Sequence, residues 1–195
     1  MQLRIFTERE ETMARMPTAS PTRHAGVTLV EMIVSILVLS ILAAIATPAM
    51  GNLLEQQRAV TATNALITQL ATARMTAISR RTIAVFCPSV DGRRCDAGSD
   101  WSGGWLLFLD RDGNHQPDRP EDIVSTDNTP LSRHLQLNSS AGRTQVRYRP
   151  DGGSAGSNLT VSICNRKGHL LSRVVVNNSG RARSERTSKP TACPT

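Results

Sequence analysis

From Val27 to Met50 the chain carries a single charged side chain, Glu31, in 24 residues. As a helix rising 1.5 Å per residue this run measures roughly 36 Å, enough to cross a hydrocarbon core of about 30 Å. Arg23 and His24 stand just ahead of it, so the excess of positive charge places residues 1–26 on the cytoplasmic side and everything after Met50 outside. An acid inside such a segment is costly in lipid, so Glu31 calls for a partner. Pro48 lacks an N–H and is expected to kink or loosen the helix late in its course. From Leu53 to Ser79 apolar side chains recur at helical spacing (Leu53, Val60, Ile67, Ala71, Met75, Ile78) among polar residues such as Gln56, Arg58, Thr63 and Arg74. This predicts an amphipathic continuation whose apolar face packs on its own domain. After Arg81 the texture changes to short β-type runs separated by Gly, Pro, Asn and Asp, predicting strands over 82–87, 104–110, 122–126, 133–139, 144–149, 158–164 and 169–177. One long helix followed by short strands implies an α+β chain with antiparallel sheets. Its segments are a leader (1–26), a membrane-length helix (27–50), an amphipathic stalk helix (51–81) and a β-rich head with a basic tail (82–195).

A secretory signal cut after Ala44-Ile45-Ala46 also fits a small-residue pattern. The acid near the start of the apolar run and the long polar segment before it argue against that alternative. Met13 and Met16 are further possible starts that shorten the leader.

Composition narrows the picture. About 120 residues follow the membrane-length and stalk segments, enough for one modest core. The charge is uneven: residues 91–127 hold nine acids against four arginines, whereas residues 130–195 hold eleven Arg and Lys against only Asp151 and Glu185. A basic C-terminal half suits a polyanion such as duplex DNA or a membrane surface. Cys87, Cys95, Cys164 and Cys193 all follow the apolar helix, and an even number on the external side suggests two disulfides. Cys87–Cys95 and Cys164–Cys193 are the preferred pairs of three connectivities because each closes a local loop, contributing roughly 2.5 and 3.5 kcal/mol by loop entropy. No C-x-x-C spacing supports zinc.

The run Arg23-His-Ala-Gly26-Val27-Thr-Leu-Val-Glu31 resembles the signal of type IV pilins and type II secretion pseudopilins. That resemblance implies cleavage after Gly26 by a prepilin peptidase and N-methylation of Val27, a position where the family most often has Phe. It implies that Glu31 meets the terminal amine of a neighbouring subunit, and the family carries a proline matching Pro48. The segment Gly104-Trp105-Leu106-Leu107-Phe108-Leu109-Asp110-Arg111-Asp112-Gly113-Asn114 is similar to the "GW…F.D.DGN" stretch of the GspH/FimT family of pseudopilins and minor pilins. The implied fold is type IV pilin-like, a long N-terminal helix packed on a small head of antiparallel sheets. Gly180-Arg181-Ala182-Arg183 resembles the motif with which FimT-type minor pilins bind DNA in natural transformation.

Three constellations bear on chemistry. Arg181, Arg183, Arg186 and Lys189 are expected to project from a turn and tail, joined by Arg147, Arg149, Arg166, Lys167 and Arg173 if their strands are neighbours. Arginine suits phosphate because its planar fork bonds bidentately and stays charged. Few aromatic residues follow the leader, so backbone contact rather than base stacking is expected. Asp110, Asp112, Asn114, Gln116, Asp118 and Glu121 fall at the spacing of an EF-hand loop, a weak Ca²⁺ candidate, because the glycine is misplaced and Pro117 and Pro120 intrude. A β-turn capped by its own Asp side chains explains the segment more simply. Gly152-Gly153-Ser154-Ala155-Gly156 matches G-x-S-x-G formally, but no strand-to-helix turn surrounds it. The resulting expectation is a non-enzymatic inner-membrane minor pilin without cofactor, its head in the periplasm. Its expected partners are other pilin subunits, the prepilin peptidase and duplex DNA. A GspH-like subunit of a type II secretion pseudopilus is the alternative.

Overall fold

The computed structural model describes residues 26–127, 134–140, 142–156 and 158–194, with only the backbone at 48, 49 and 188–190. The leader before Gly26 and the side chains of Pro48 and Lys189 therefore lie outside the described residues. The chain divides into two compact units, Met1–Ala44 and Ile45–Thr195. One helix, α1, spans Leu29–Arg80.

In the first unit α1 starts at a defined cap. The Thr28 carbonyl accepts from Met32 N–H at 3.1 Å, and the Thr28 hydroxyl accepts from Glu31 N–H at 3.3 Å. Thr-x-x-Glu is the sequence of a capping box, in which the side chain satisfies an orphan amide of the first turn. Beyond the cap the side chains are apolar and exposed, and α1 is long and apolar enough to cross a membrane. Ser35 and Ser40 donate to Glu31 O and Ile36 O, each at 2.7 Å. Such back-bonding leaves no hydroxyl proton unsatisfied in an apolar medium.

The second unit is a head built on the C-terminal part of α1. Its strands are β1 (Ile83–Pro88), β2 (Trp105–Asp110), β3 (Ile123–Asp127, after a 3-10 turn at Pro120–Asp122), β4 (Leu135–Ser139), β5 (Val146–Tyr148), β6 (Ser154–Ala155), β7 (Leu159–Asn165), β8 (His169–Val176) and β9 (Ala182–Ala192). They form two antiparallel sheets, ordered β3-β2-β1-β5-β6 and β4-β7-β8-β9. Period-2 alternation sends Ala84, Phe86, Trp105 and Leu107 of one sheet, and Leu137, Val161, Ile163 and Val174 of the other, into a single core with α1. Trp101 and Trp105 flank Phe86 with ring centroids 5.2 and 6.1 Å away. All five aromatic residues after the leader (Phe86, Trp101, Trp105, Phe108, Tyr148) are buried.

Two expectations change. The helix face that packs is Ala59, Ala62, Thr63, Leu66, Leu70, Ala73 and Ala77, while Leu53, Met75 and Ile78 are exposed. The alanines share one core with the side chains of both sheets, and Leu66 and Leu70 fill the larger spaces in it, so steric fit selects a stripe that hydrophobicity alone does not. Residues 182–192, expected as turn and tail, instead form the edge strand β9, in register with β8 through Val175↔Arg183, Arg173↔Glu185 and Ser172↔Arg186. Pairing satisfies one side of β8 that a free tail leaves bare. The helix ends in a Schellman arrangement, Thr82 N–H to Ala77 O at 3.3 Å and Arg81 N–H to Ile78 O at 3.4 Å, with Arg81 at φ 52° where glycine is usual.

Candidate functional site

Gly26, Val27 and Thr28 are non-helical and exposed, directly ahead of the Thr28 cap. The Gly26–Val27 peptide bond thus lies in non-helical, accessible chain just ahead of the helix. Glu31 is at the third helical position, where a carboxylate also favours the positive end of the helix dipole.

The basic residues of the head divide by strand geometry. Arg183 is on the outer face of the second sheet, cross-strand from Val175, and the adjacent outer pair is Arg173↔Glu185. Glu185 Oε1 accepts from Arg183 Nε at 3.1 Å, and its Oε2 lies 3.9 Å from Arg173 Nε. Arg181 precedes β9, its N–H donating to Asn177 Oδ1 at 2.9 Å in the β8–β9 turn, and its side chain is exposed. Arg186 falls on the opposite face of β9. There it lines a groove of about 650 Å³ between β9 and α1, with Glu55, Thr63, His169 and Ser184. Arg166 and Lys167 occupy the β7–β8 turn, at the far end of β8 from Arg181, where Cys193 N–H donates to Gly168 O at 2.8 Å. Cys164–Cys193 anchors that end of β9, with Cα atoms 6.0 Å apart, and Cys87–Cys95 closes the loop after β1 at 5.6 Å.

Three further arginines have local partners. Arg147 belongs to the first sheet, cross-strand from Val85, and meets His115 Nε2. Arg149 pairs with Asp151 at 3.3 Å. Arg143, which sequence reasoning passed over, is half-buried. It donates to Gln145 O at 3.1 Å, to Ser154 Oγ at 2.8 Å and to Ala155 O, stitching the β5–β6 hairpin. Burial, and after it the charge of Arg147, lowers its pKa from the ordinary arginine value. The two sheets do meet at their turns: Ser154 N–H donates to Asn178 O at 3.0 Å. Gly180, at φ 76°, seats directly on Gly152, where any Cβ would overlap the Gly152 carbonyl oxygen. The glycine of Gly-Arg-x-Arg therefore docks the turn that carries Arg181 onto the turn that carries Arg149.

The acidic segment folds as a cover. Asp110 Oδ1 accepts from Gly113 N–H at 2.9 Å, and Asn114 Nδ2 donates to Asp112 and Asp118, both at 2.9 Å. The Asn114 amide thus bridges two of the carboxylates that the Ca²⁺ reading takes as ligands. Gln116 holds Cys95 by both ends, accepting from its N–H at 2.9 Å and donating to its carbonyl at 3.4 Å. Beneath lie Val85, Cys87, Leu106 and Phe108, a second apolar cluster on the outer face of the first sheet. Ser154 of the G-x-S-x-G run is a buried residue of β6 whose hydroxyl accepts from Arg143, not a nucleophile on a turn into a helix.

Comparison with known proteins places this architecture. The family profile described as type II transport protein GspH matches residues 62–180, and that of the prokaryotic N-terminal methylation motif matches residues 21–47. No curated protein sequence matches the chain closely. Among solved structures, the type IV minor pilin FimU of Pseudomonas aeruginosa is similar at 18% identity, covering 72% of this chain and 98% of its own, with a TM-score of 0.56. The minor pseudopilin EpsH of the Vibrio cholerae type 2 secretion system is 18% identical, covering 68% and 99%, with a TM-score of 0.48.

Proposed function

We propose that this chain, which belongs to the GspH family of type II transport proteins, is a FimT-like minor pilin that binds duplex DNA through its C-terminal arginines for uptake. Family membership makes it a minor pilin or pseudopilin, a membrane-anchored structural subunit rather than an enzyme. Such subunits assemble with others of their kind. In this reading a prepilin peptidase cuts the exposed Gly26–Val27 bond and methylates Val27. The helix then sits singly across the inner membrane with the head in the periplasm, and Glu31 meets the amine of a neighbouring Val27.

The observation that carries the DNA reading is the outer face of β8 and β9, where Arg173 and Arg183 follow Arg181 in a sheet whose other end bears Arg166 and Lys167. Eight residues of β8 span about 27 Å at roughly 3.4 Å per residue. That length is roughly the axial rise of eight base pairs of B-DNA, enough to meet a few phosphates on the side of the duplex that faces the sheet. With every aromatic residue of the head buried, no ring is offered for base stacking, so binding is to the backbone and indifferent to sequence.

Titrating fluorescent duplex DNA with the full-length chain in detergent micelles across a salt series tests the reading, beside Arg181→Ala/Arg183→Ala. About four neutralised phosphates give a log–log salt slope of roughly −3.6. Equal binding by both proteins, or none at low salt, removes the DNA role. The family's own description then favours the second reading, a GspH-like subunit of a type II secretion pseudopilus. Mass spectrometry of the mature terminus checks processing, with N-methylated Val27 as the expected first residue.

A further inference from the structure

Glu185 is the only carboxylate on β8 and β9, and with Asp151 one of two acids among residues 130–195. It stands in the middle of the outer basic face. Its two oxygens are divided between Arg183 at 3.1 Å and Arg173 at 3.9 Å. The side chains are 42%, 60% and 37% exposed respectively, so all three are reachable from solvent. The cross-strand register Arg173↔Glu185 and the two-residue step from Arg183 to Glu185 fix the triad by backbone geometry rather than by chance side-chain encounter.

We propose that Glu185 is a specificity-determining residue that holds Arg173 and Arg183 in check, so that only a polyanion of closely spaced phosphates releases them. This rests on the DNA reading and names what that surface selects. An isolated anion exchanges one carboxylate for one equal charge and gains nothing net from the triad. A phosphodiester backbone brings several charges at once. Its neighbouring phosphates meet Arg181, which has no carboxylate partner among the described residues, while one of them displaces Glu185. The carboxylate thereby sets both the selectivity and the weakness of binding, because it competes for each guanidinium at every release.

The experiment compares wild type, Glu185→Gln, Glu185→Ala and Arg181→Ala/Arg183→Ala as full-length chains in micelles, titrating 30-base-pair duplex DNA over a salt series. Glu121→Gln, in the acidic cover, controls for the change in net charge alone. Glu185→Gln and Glu185→Ala are expected to tighten binding about three- to tenfold and to steepen the log–log salt slope by about 0.9–1.8, one or two phosphate contacts. Glu121→Gln is expected to change affinity less than twofold. Glu185 variants that bind like wild type, or no better than Glu121→Gln, overturn the inference while loss of binding in the double-arginine variant leaves the DNA reading standing. No binding by wild type but binding by Glu185→Gln overturns the inference, because duplex DNA then fails to displace Glu185, and removes the DNA role of the natural chain. No binding by any variant overturns both.

Discussion

Between Asp110 and Asp122 the carboxylates turn toward their own loop, taking N–H groups of Gly113 and Asn114, the Asn114 amide and the Arg111 guanidinium at 2.9 Å. On the outer face of β8 and β9, Arg173 and Arg183 share one carboxylate, Glu185. The two segments carry comparable densities of charge, and the difference is in the donors and acceptors within reach. A carboxylate accepts, and a turn rich in amides supplies donors locally; a guanidinium donates, and β8, paired on both sides, has already committed its carbonyls. Acids in loops therefore tend to build structure, whereas arginines on a sheet face remain available to a ligand.

Removing the disulfides separately tests how each region is held. Cys164→Ala/Cys193→Ala frees the end of β9 and is expected to cost about 3.5 kcal/mol, against about 2.5 for Cys87→Ala/Cys95→Ala, by the loop lengths closed. Urea unfolding followed by tryptophan fluorescence, which reports Trp101 and Trp105, measures both, and the reverse order breaks the contrast. Gly180→Ala forces a Cβ into the Gly152 carbonyl and places alanine at positive φ. A loss of about 3 kcal/mol is expected, with reduced DNA affinity even in folded protein because the Arg181 turn loses its seat.

Tyr148 sharpens the comparison at the seam between the sheets. Burial raises its pKa to about 12, against the opposing pull of Arg74 and Arg143. A pKa raised in the folded state means that the stabilisation is complete below pH 10 and is lost as pH climbs from 10 to about 12. Absorbance at 295 nm should rise only in that window, together with unfolding, and it reads one group because the chain has a single tyrosine. Titration near pH 10 without unfolding contradicts its burial. Gln116→Ala removes both hydrogen bonds to Cys95 and is expected to cost about 1 kcal/mol, leaving DNA binding untouched. The smallest effect is at acid pH. Asp91, held below the usual carboxylate range by the N–H groups of Arg93 and Arg94, contributes stability above pH 3.8 that disappears as pH falls through its lower folded value. Asp91→Asn should flatten the acid limb of the stability curve slightly.

The membrane-length helix, the antiparallel α+β character of the head and the acidic turn were legible in the sequence because each rests on a local rule: uninterrupted apolarity, period-2 runs between turn residues, and Asp placed to accept nearby amides. The cap at Thr28 carries a local signal as well, Thr-x-x-Glu. The face of α1 that packs was not, since a hydrophobic stripe at Ile67, Ala71 and Met75 outweighs a row of alanines by composition. Only contact with two sheets makes small size the deciding property. Nor was β9, whose polar, Ser- and Arg-rich sequence reads as tail until the open edge of β8 offers it a partner.

By itself the sequence determined how many arginines the C-terminal half carries and how few acids oppose them. The tertiary structure decided which of them can act together. Pairing register set Arg173, Glu185 and Arg183 on one face and turned Arg186 to the other, while Arg147 went to the first sheet and Arg149 to the turn after β5, each with a partner of its own. Charge is a property of residues, but which side of a sheet a charge faces follows from strand register. Register in turn is fixed by contacts between segments far apart in the chain.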